Sequence, residues 1–341
     1  MARVPAARGV GTNAAQPKST RRSLLAGLGA LPVLRSAHAQ RNFPDRPIRL
    51  VVPFGPGTAT DTLARQLSAG TQAFLGQPIV IENRAGANAI IGTEAAARSV
   101  PDGYTLLYGT TQALCYNPVM YQRLPYDPVR DFAPVAGLVS LSYLLVVNAR
   151  LPIRSIPELV ALAKAEPGRL TFGSTGAGTG SRLIAEVFAK EAGIDITNVS
   201  YQSGAGQLFS DLIAGRTAMM FYPYQFVRTH LEAGQMRALA STDAQRASWL
   251  PEIPTLAELG YRNSIYTTWF AIYAPTGTPE DRIARISDAY RRVLDGPALR
   301  AALAVDGTSV DYRPPAELAA FVAAERGRCR AVVELSGARV E

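Results

Sequence analysis

Two stretches of this chain have residue types and spacing suited to holding an anion. The first is VPFGPGTATD, Val52 to Asp61, and the second is FGSTGAGTGS, Phe172 to Ser181. Each reads as the end of an apolar strand, a glycine bend and the start of an amphipathic helix. Glycine admits close backbone approach and positive φ, and a helix N-terminus presents unpaired N–H groups with about half a positive charge. In an open α/β sheet both bends fall at the carboxyl ends of strands, where such sheets bind ligands. Facing each other across a cleft, they would clamp an anion without any arginine. Asp61, at the helix start, is expected to cap the helix for ~1 kcal/mol and to fix the amides that face the ligand.

Other chemistry fits these residues poorly. A phosphate-binding P-loop needs GxxxxGK[ST], and no lysine follows either glycine cluster; the dinucleotide fingerprint GxGxxG is not met, because Thr60 stands where the last glycine of Gly55-x-Gly57 should be. A serine hydrolase would use Ser174 or Ser181 as nucleophile, but there is no GxSxG elbow, and after residue 39 the only histidine is His230. That single histidine also leaves no ligand set for a metal, and no cofactor is expected. Cys115 and Cys329 form no CxxC pattern, so the sequence leaves open whether they pair.

The elements that must position the two bends start after an N-terminal segment. Ser19-Thr20-Arg21-Arg22-Ser23 precedes an apolar run, Leu24 to Leu34, that ends in Ala37-His38-Ala39. Paired arginines, a short apolar run and a small-x-small site read as an export signal of twin-arginine type, cleaved near Ala39-Gln40. The run is too short for a membrane span, which needs ~20 residues. The segment holds six Lys/Arg and no acid, so 29 basic and 27 acidic residues remain and the net charge falls from +8 to +2. The high pI therefore belongs to the leader and is no sign of nucleic-acid binding.

From Pro47 onward, short β-rich runs alternate with helical patterns: Ile48–Val52, a helix from Asp61 to Leu75, Pro78–Glu82, Ile91–Arg98, Tyr104–Tyr108. The rhythm restarts at Leu144–Asn148 and continues through Ser155–Ala165, Leu170–Gly173, Ser181–Ala192, Ile196–Tyr201, Gln207–Ala214 and Ala218–Tyr222. The fold class is α/β: two doubly wound lobes joined by crossing strands, with a cleft between them. Residues 40–143 would begin the first lobe, 144–267 form the second, and 268–341 return to the first. Phe54 and Tyr222 each follow an apolar strand at its cleft end, which suits a ligand with an aromatic or apolar body.

With those motifs in order, the chain resembles the Bug-type periplasmic solute receptors of tripartite tricarboxylate transporters. The resemblance rests on FPDRPIRLVVPFGPG, ATDTLAR, LGQPIVIENRAGA, IGTEAAARSVPDGYTLL, FGSTGAGTGS, LIAGR, AGQMRALAST, IPTLAELG and APTGTP, and covers nearly all of Gln40 to the C-terminus. It implies a fold like the type II periplasmic binding proteins, a monomeric, non-enzymatic receptor, and capture of a small carboxylate for delivery to membrane permease subunits; a ligand sensor for a signalling partner is the alternative. The contact residues it implies are Phe54, Gly57, Thr58, Ala59, Thr60 and Asp61 in the first bend. In the second they are Ser174, Thr175, Gly178, Thr179 and Ser181. Gly204 and Ala205 of YQSGA form a third region, and Thr110 and Thr111 a fourth. Thr58, Asn88 and Ala89 stand where the family usually has glycine, and Tyr222 where an Asp is common. That last departure argues against an amino-acid ligand and for an aromatic or apolar carboxylate.

Overall fold

The computed structural model describes residues 43–176, 179–201, 205–247 and 249–337. The leader segment, Gly178 and Gly204 lie outside the described residues. In chain order the first elements are β1 (Ile48–Val52), α1 (Ala59–Ala69), α2 (Gln72–Leu75), β2 (Ile79–Asn83), α3 (Ile90–Ala97) and β3 (Thr105–Thr110). A π-helical turn (Gln112–Tyr116) and α4 (Asn117–Met120) lead to the long strand β4 (Phe132–Asn148). Then come α5 (Ile156–Ala165), β5 (Thr171–Ser174), α6 (Gly180–Ala192), β6 (Thr197–Ser200), α7 (Ala205–Ala214), β7 (Met219–Pro223), α8 (Tyr224–Glu232) and β8 (Met236–Ser241). The chain returns through β9 (Thr267–Pro275), α9 (Glu280–Leu294), α10 (Pro297–Val305), β10 (Thr308–Arg313) and α11 (Pro315–Ser336).

The strands form one curled mixed sheet in the order β2-β1-β3-β9-β4-β7-β5-β6, with β10 and β8 also paired to β4. The βαβ units give parallel pairs, β1 with β2 and β3, and β5 with β6 and β7; β9 runs antiparallel to β3 and β4. Apart from Arg49, which pairs with Glu82 of β2 (3.0 Å), β1 is apolar because both its faces are covered. Ile48, Leu50 and Val52 pack with Leu63 and Leu67 of α1 and with Ile286 and Tyr290 of α9, while Val51 packs with Leu107 and Leu114 on the other side. α9 buries Ile283, Ile286, Tyr290 and Leu294 at helical spacing and leaves its arginines outside. Each such side chain contributes ~1.5–3 kcal/mol. The helix expected to run from Asp61 to Leu75 breaks at Gly70, and the Cβ of any other residue there would press within 3.0 Å of Val293.

β4 is the element that joins the two halves of the sheet. It pairs with β9 as far as Ser142, opposite Thr267, and with β10 as far as Leu141. From Tyr143, opposite Pro223, and Leu144, opposite Ser241, its partners are β7 and β8. Two further passages lie alongside this changeover: Thr242 donates its N–H to the Tyr143 carbonyl (2.9 Å), and Tyr266 donates to the Thr242 carbonyl (2.9 Å). Ser142-Tyr143, Thr242-Asp243 and Tyr266-Thr267 therefore make a seam between the halves.

Candidate functional site

The bend between β1 and α1 is held by a carboxylate network. Thr58, not Asp61, is the helix cap: its hydroxyl accepts from the Asp61 amide (3.4 Å) and donates to the Gly55 carbonyl (2.8 Å). This corrects the expectation that Asp61 caps α1. Asp61 lies in the first turn, is buried, and reaches back to accept from the Gly57 amide (2.9 Å). Its carboxylate also accepts from Asn83 at the end of β2 (2.8 Å) and from Arg65 one turn on (3.0 Å), and Asn83 donates to the Phe54 carbonyl (3.0 Å). The Arg65 guanidinium, helped by Asn83 and the Gly57 amide against the cost of burial, lowers the Asp61 pKa to about 2. An anion arriving at α1 thus meets a neutral Asp–Arg pair, and by helix geometry the Ala59 and Thr60 amides are left facing outward. Gly57 takes φ +75°, open to glycine at no strain.

The bend between β5 and α6 is held by hydroxyls. Thr179 is the N-cap residue, and its hydroxyl donates to the Gly176 carbonyl (2.7 Å) and lies 3.0 Å from that of Ser181. Ser181 accepts from the Thr175 amide (3.3 Å). Ser174 is fully buried and bonded to Asn198 (2.9 Å) on β6. The first-turn amides of Gly180 and Ser181 have no intrahelical acceptor. A Cβ on Gly180 would lie 2.2 Å from the Tyr266 hydroxyl, so glycine is what lets the seam touch this helix end.

The remaining expected residues fall into three groups. Thr110 and Thr111 are buried and their hydroxyls serve the backbone: Thr110 accepts from the Ala113 amide (3.2 Å) and Thr111 from the Trp269 amide (2.9 Å). Ala205 opens α7, beside Tyr201, whose hydroxyl donates to Asp211 (2.8 Å). Tyr222 packs edge-on against Phe209 (5.0 Å) and Phe226 (5.6 Å). Phe226 and Gln225 of α8 face Gly57, Ala59 and Thr62 across a hollow of 270 Å³, so the first bend looks onto the other half of the sheet. Of the hydrolase candidates, His230 pairs its Nδ1 with Gln235 (2.7 Å) and its ring with Phe209, while Ser174 and Ser181 serve the loop itself. Among the described residues no group of three or more His, Cys, Asp and Glu side chains could hold a metal, and no helix is long and apolar enough to cross a membrane.

The comparisons decide the family. The model of the tripartite tricarboxylate transporter family receptor, TctC, matches residues 63–337. The chain belongs to this receptor family. It is 36% identical to Protein BugT of Bordetella pertussis over 300 residues, 88% of this chain and 92% of that one. Among solved structures, an R. palustris protein with adipate is 32% identical, covering 87% of this chain and all of that one at a TM-score of 0.78. MatC from Rhodopseudomonas palustris with bound malate is 31% identical, covering 85% and 100% at a TM-score of 0.74. The curled α/β sheet is therefore the fold of these periplasmic binding proteins. Ala87, Asn88 and Ala89 take φ of +44°, +51° and +72° in succession, a path that glycines follow freely.

The residues that sequence reasoning passed over are Asn83, Arg65 and Asn198, which hold the bends, and Tyr143, which lines the seam with Tyr266, an aromatic the sequence places near the return crossing. Asn83 and Arg65 sit inside recognisable motifs, ENRAGA and ATDTLAR. Nothing local marks Asn198 or Tyr143.

Proposed function

We propose that this receptor captures a small organic carboxylate between the β1–α1 and β5–α6 bends and hands it to the membrane subunits of a tripartite transporter. The observation that carries this reading is the shared construction of the two bends. Each leads through a threonine at the N-cap position into a helix whose first two amides have no intrahelical acceptor, and the carboxylate built into the first bend, Asp61, is already neutralised by Arg65. Two half-positive helix ends then favour one anion and need no counter-cation. The halves of the sheet are the lobes, 40–143 with 268–341 and 144–267, and they hinge at the seam where β4 changes partners. Relatives solved with adipate and malate support a carboxylate as the class of ligand.

Capture is binding without turnover, by a monomer made for the periplasm and exported with its leader removed near Ala39-Gln40. Phe54, Gly57 to Thr60, Thr175, Gly178, Thr179, Ser181, Gly204 and Ala205 are the contact residues, with Asp61 and Ser174 acting as supports behind them. A thermal-shift screen of residues 40–341 against carboxylates, amino acids and nucleotides tests this. A carboxylate at a hundred times its Kd stabilises by about 2.7 kcal/mol, and the shift is lost in Ser181→Ala. A nucleotide hit, or a carboxylate hit indifferent to the change at Ser181, would overturn the reading.

A further inference from the structure

The seam carries three tyrosines that neither bend needs for its own construction. Tyr143 stands on β4 at the residue where the strand changes partners, and Tyr266 stands on the returning passage. The ring of Tyr143 meets that of Tyr266 edge-on at 5.0 Å and 78°, and Tyr266 stacks on Tyr116 of the π-helical turn at 5.9 Å and 17°. Tyr116 and Tyr266 are buried, whereas Tyr143 keeps part of its surface open. The Tyr266 hydroxyl touches Gly180, the first residue of α6, so this aromatic wall begins at the amide end of the second bend. Tyr143 accepts from the Thr268 hydroxyl (3.4 Å), and it lies close enough to Tyr222 for the two hydroxyls to feel each other.

We infer that Tyr143, held in place by the buried Tyr266 behind it, contacts the body of the bound acid and selects a flat aromatic monocarboxylate over an aliphatic dicarboxylate. The inference rests on the carboxylate reading above and adds the shape and charge of what the carboxylate is attached to. The geometry suits a ring: Tyr143 is already edge-on to one neighbour, and a flat ligand beside it would extend the same arrangement of stacked and edge-on rings. Charge points the same way. Burial pushes the hydroxyls of Tyr116, Tyr143 and Tyr266 up, so they stay neutral. Among the described residues the cation–ring contacts fall on Phe43, Phe74, Tyr104 and Phe321, none of them in the seam. A second carboxylate placed against this wall would lose its water and gain no cation. Tyr222 does not fill this role, because Phe209 and Phe226 already flank its ring.

The test is calorimetric titration of residues 40–341 with benzoate, cyclohexanecarboxylate and adipate, on the unchanged protein, Tyr143→Phe and Tyr143→Ala. Benzoate should bind tightest, roughly two- to tenfold ahead of adipate, as expected for one well-packed aromatic contact. Tyr143→Phe should keep the order and Tyr143→Ala should erase it. Ligand-free melting curves of the variants show whether each still folds, and if the alanine variant does not, Tyr143→Leu, which keeps the bulk but not the ring, should erase the order in its place. If adipate binds tighter than benzoate, or the order survives Tyr143→Ala, the inference fails while the carboxylate reading stands. If none of the three acids binds, the inference fails, and the carboxylate reading is decided separately by the wider screen and Ser181→Ala.

Discussion

Replacing Asp61 by Asn removes one charge from the network behind the first bend and keeps its shape. In the folded protein the Asp61 pKa falls from 3.8 to about 2, chiefly through the Arg65 hydrogen bond. At 1.36 kcal/mol per pH unit, the shift bounds the contribution at about 2 kcal/mol, and the half-open Arg65 side chain trims this to about 1–2 kcal/mol. The sign follows from the direction. A depressed pKa means the folded state holds its proton less tightly than the unfolded chain. The stability it supplies is therefore fully present above pH 4 and is lost as pH falls from about 4 to about 2. Urea denaturation of both proteins from pH 2 to pH 7 measures this. Wild type should exceed Asp61→Asn by about 1–2 kcal/mol at pH 7, with the gap closing by pH 2. Carboxylate binding at pH 7 should also weaken, since Asn leaves Arg65 and the Gly57 amide without their charged acceptor. A stability gap that stays constant with pH would refute the reasoning, because it would mean the loss is steric and not ionic.

Three more expectations follow from the same contacts. Burial raises Asp243, beside the seam, to about 6 against the help of Ser142 and Ser241. The folded state keeps this proton longer, so wild-type stability should fall as pH rises from about 4 to about 6. Asp243→Asn should then be more stable by about 1–3 kcal/mol at pH 8 and equal near pH 4, by denaturation at both pH values. Gly92→Ala would place a Cβ 2.6 Å from the Arg84 carbonyl and 2.8 Å from Pro53 Cα, both backbone, so α3 must back away from the first bend. A cost of about 1–3 kcal/mol with weaker carboxylate binding should show in melting and titration together. Gly180→Ala would drive the Tyr266 ring off α6; because that ring is stacked on Tyr116, the affinity should drop even in conditions where the protein stays folded, as circular dichroism can verify.

Much of the fold was legible because it is built from βαβ units whose strands are apolar runs and whose helices carry their own start signals. Ser155 caps α5 by accepting from the Glu158 amide (3.4 Å), and Ser155-Ile156-Pro157-Glu158 has the residue types of a helix start: a serine cap, proline in the first turn and an acid three positions on. The first half of β4 was not legible. Pro134 and Gly137 interrupt its pattern, and the register slips at both places. The π-helical turn has no 3.6-residue periodicity to read, and β10 alternates too weakly, with only Thr308 fully buried. In the site, the two bends could be read because strand, glycines and helix start are contiguous. The role of Asp61 could not, since it depends on Asn83 from another strand. The seam tyrosines are 123 positions apart in the chain and meet only because β4 and the return passage run side by side.

The most direct test of the account compares an acid with its own methyl ester. Once a carboxylate ligand is in hand, both forms are titrated against the same protein by calorimetry. If two helix ends hold the carboxylate, the ester loses charge-assisted hydrogen bonds worth about 1.5–3 kcal/mol each, so affinity should drop a hundredfold or more. An ester that binds as well as the acid would show that the bends do not hold an anion, and the central claim would fall.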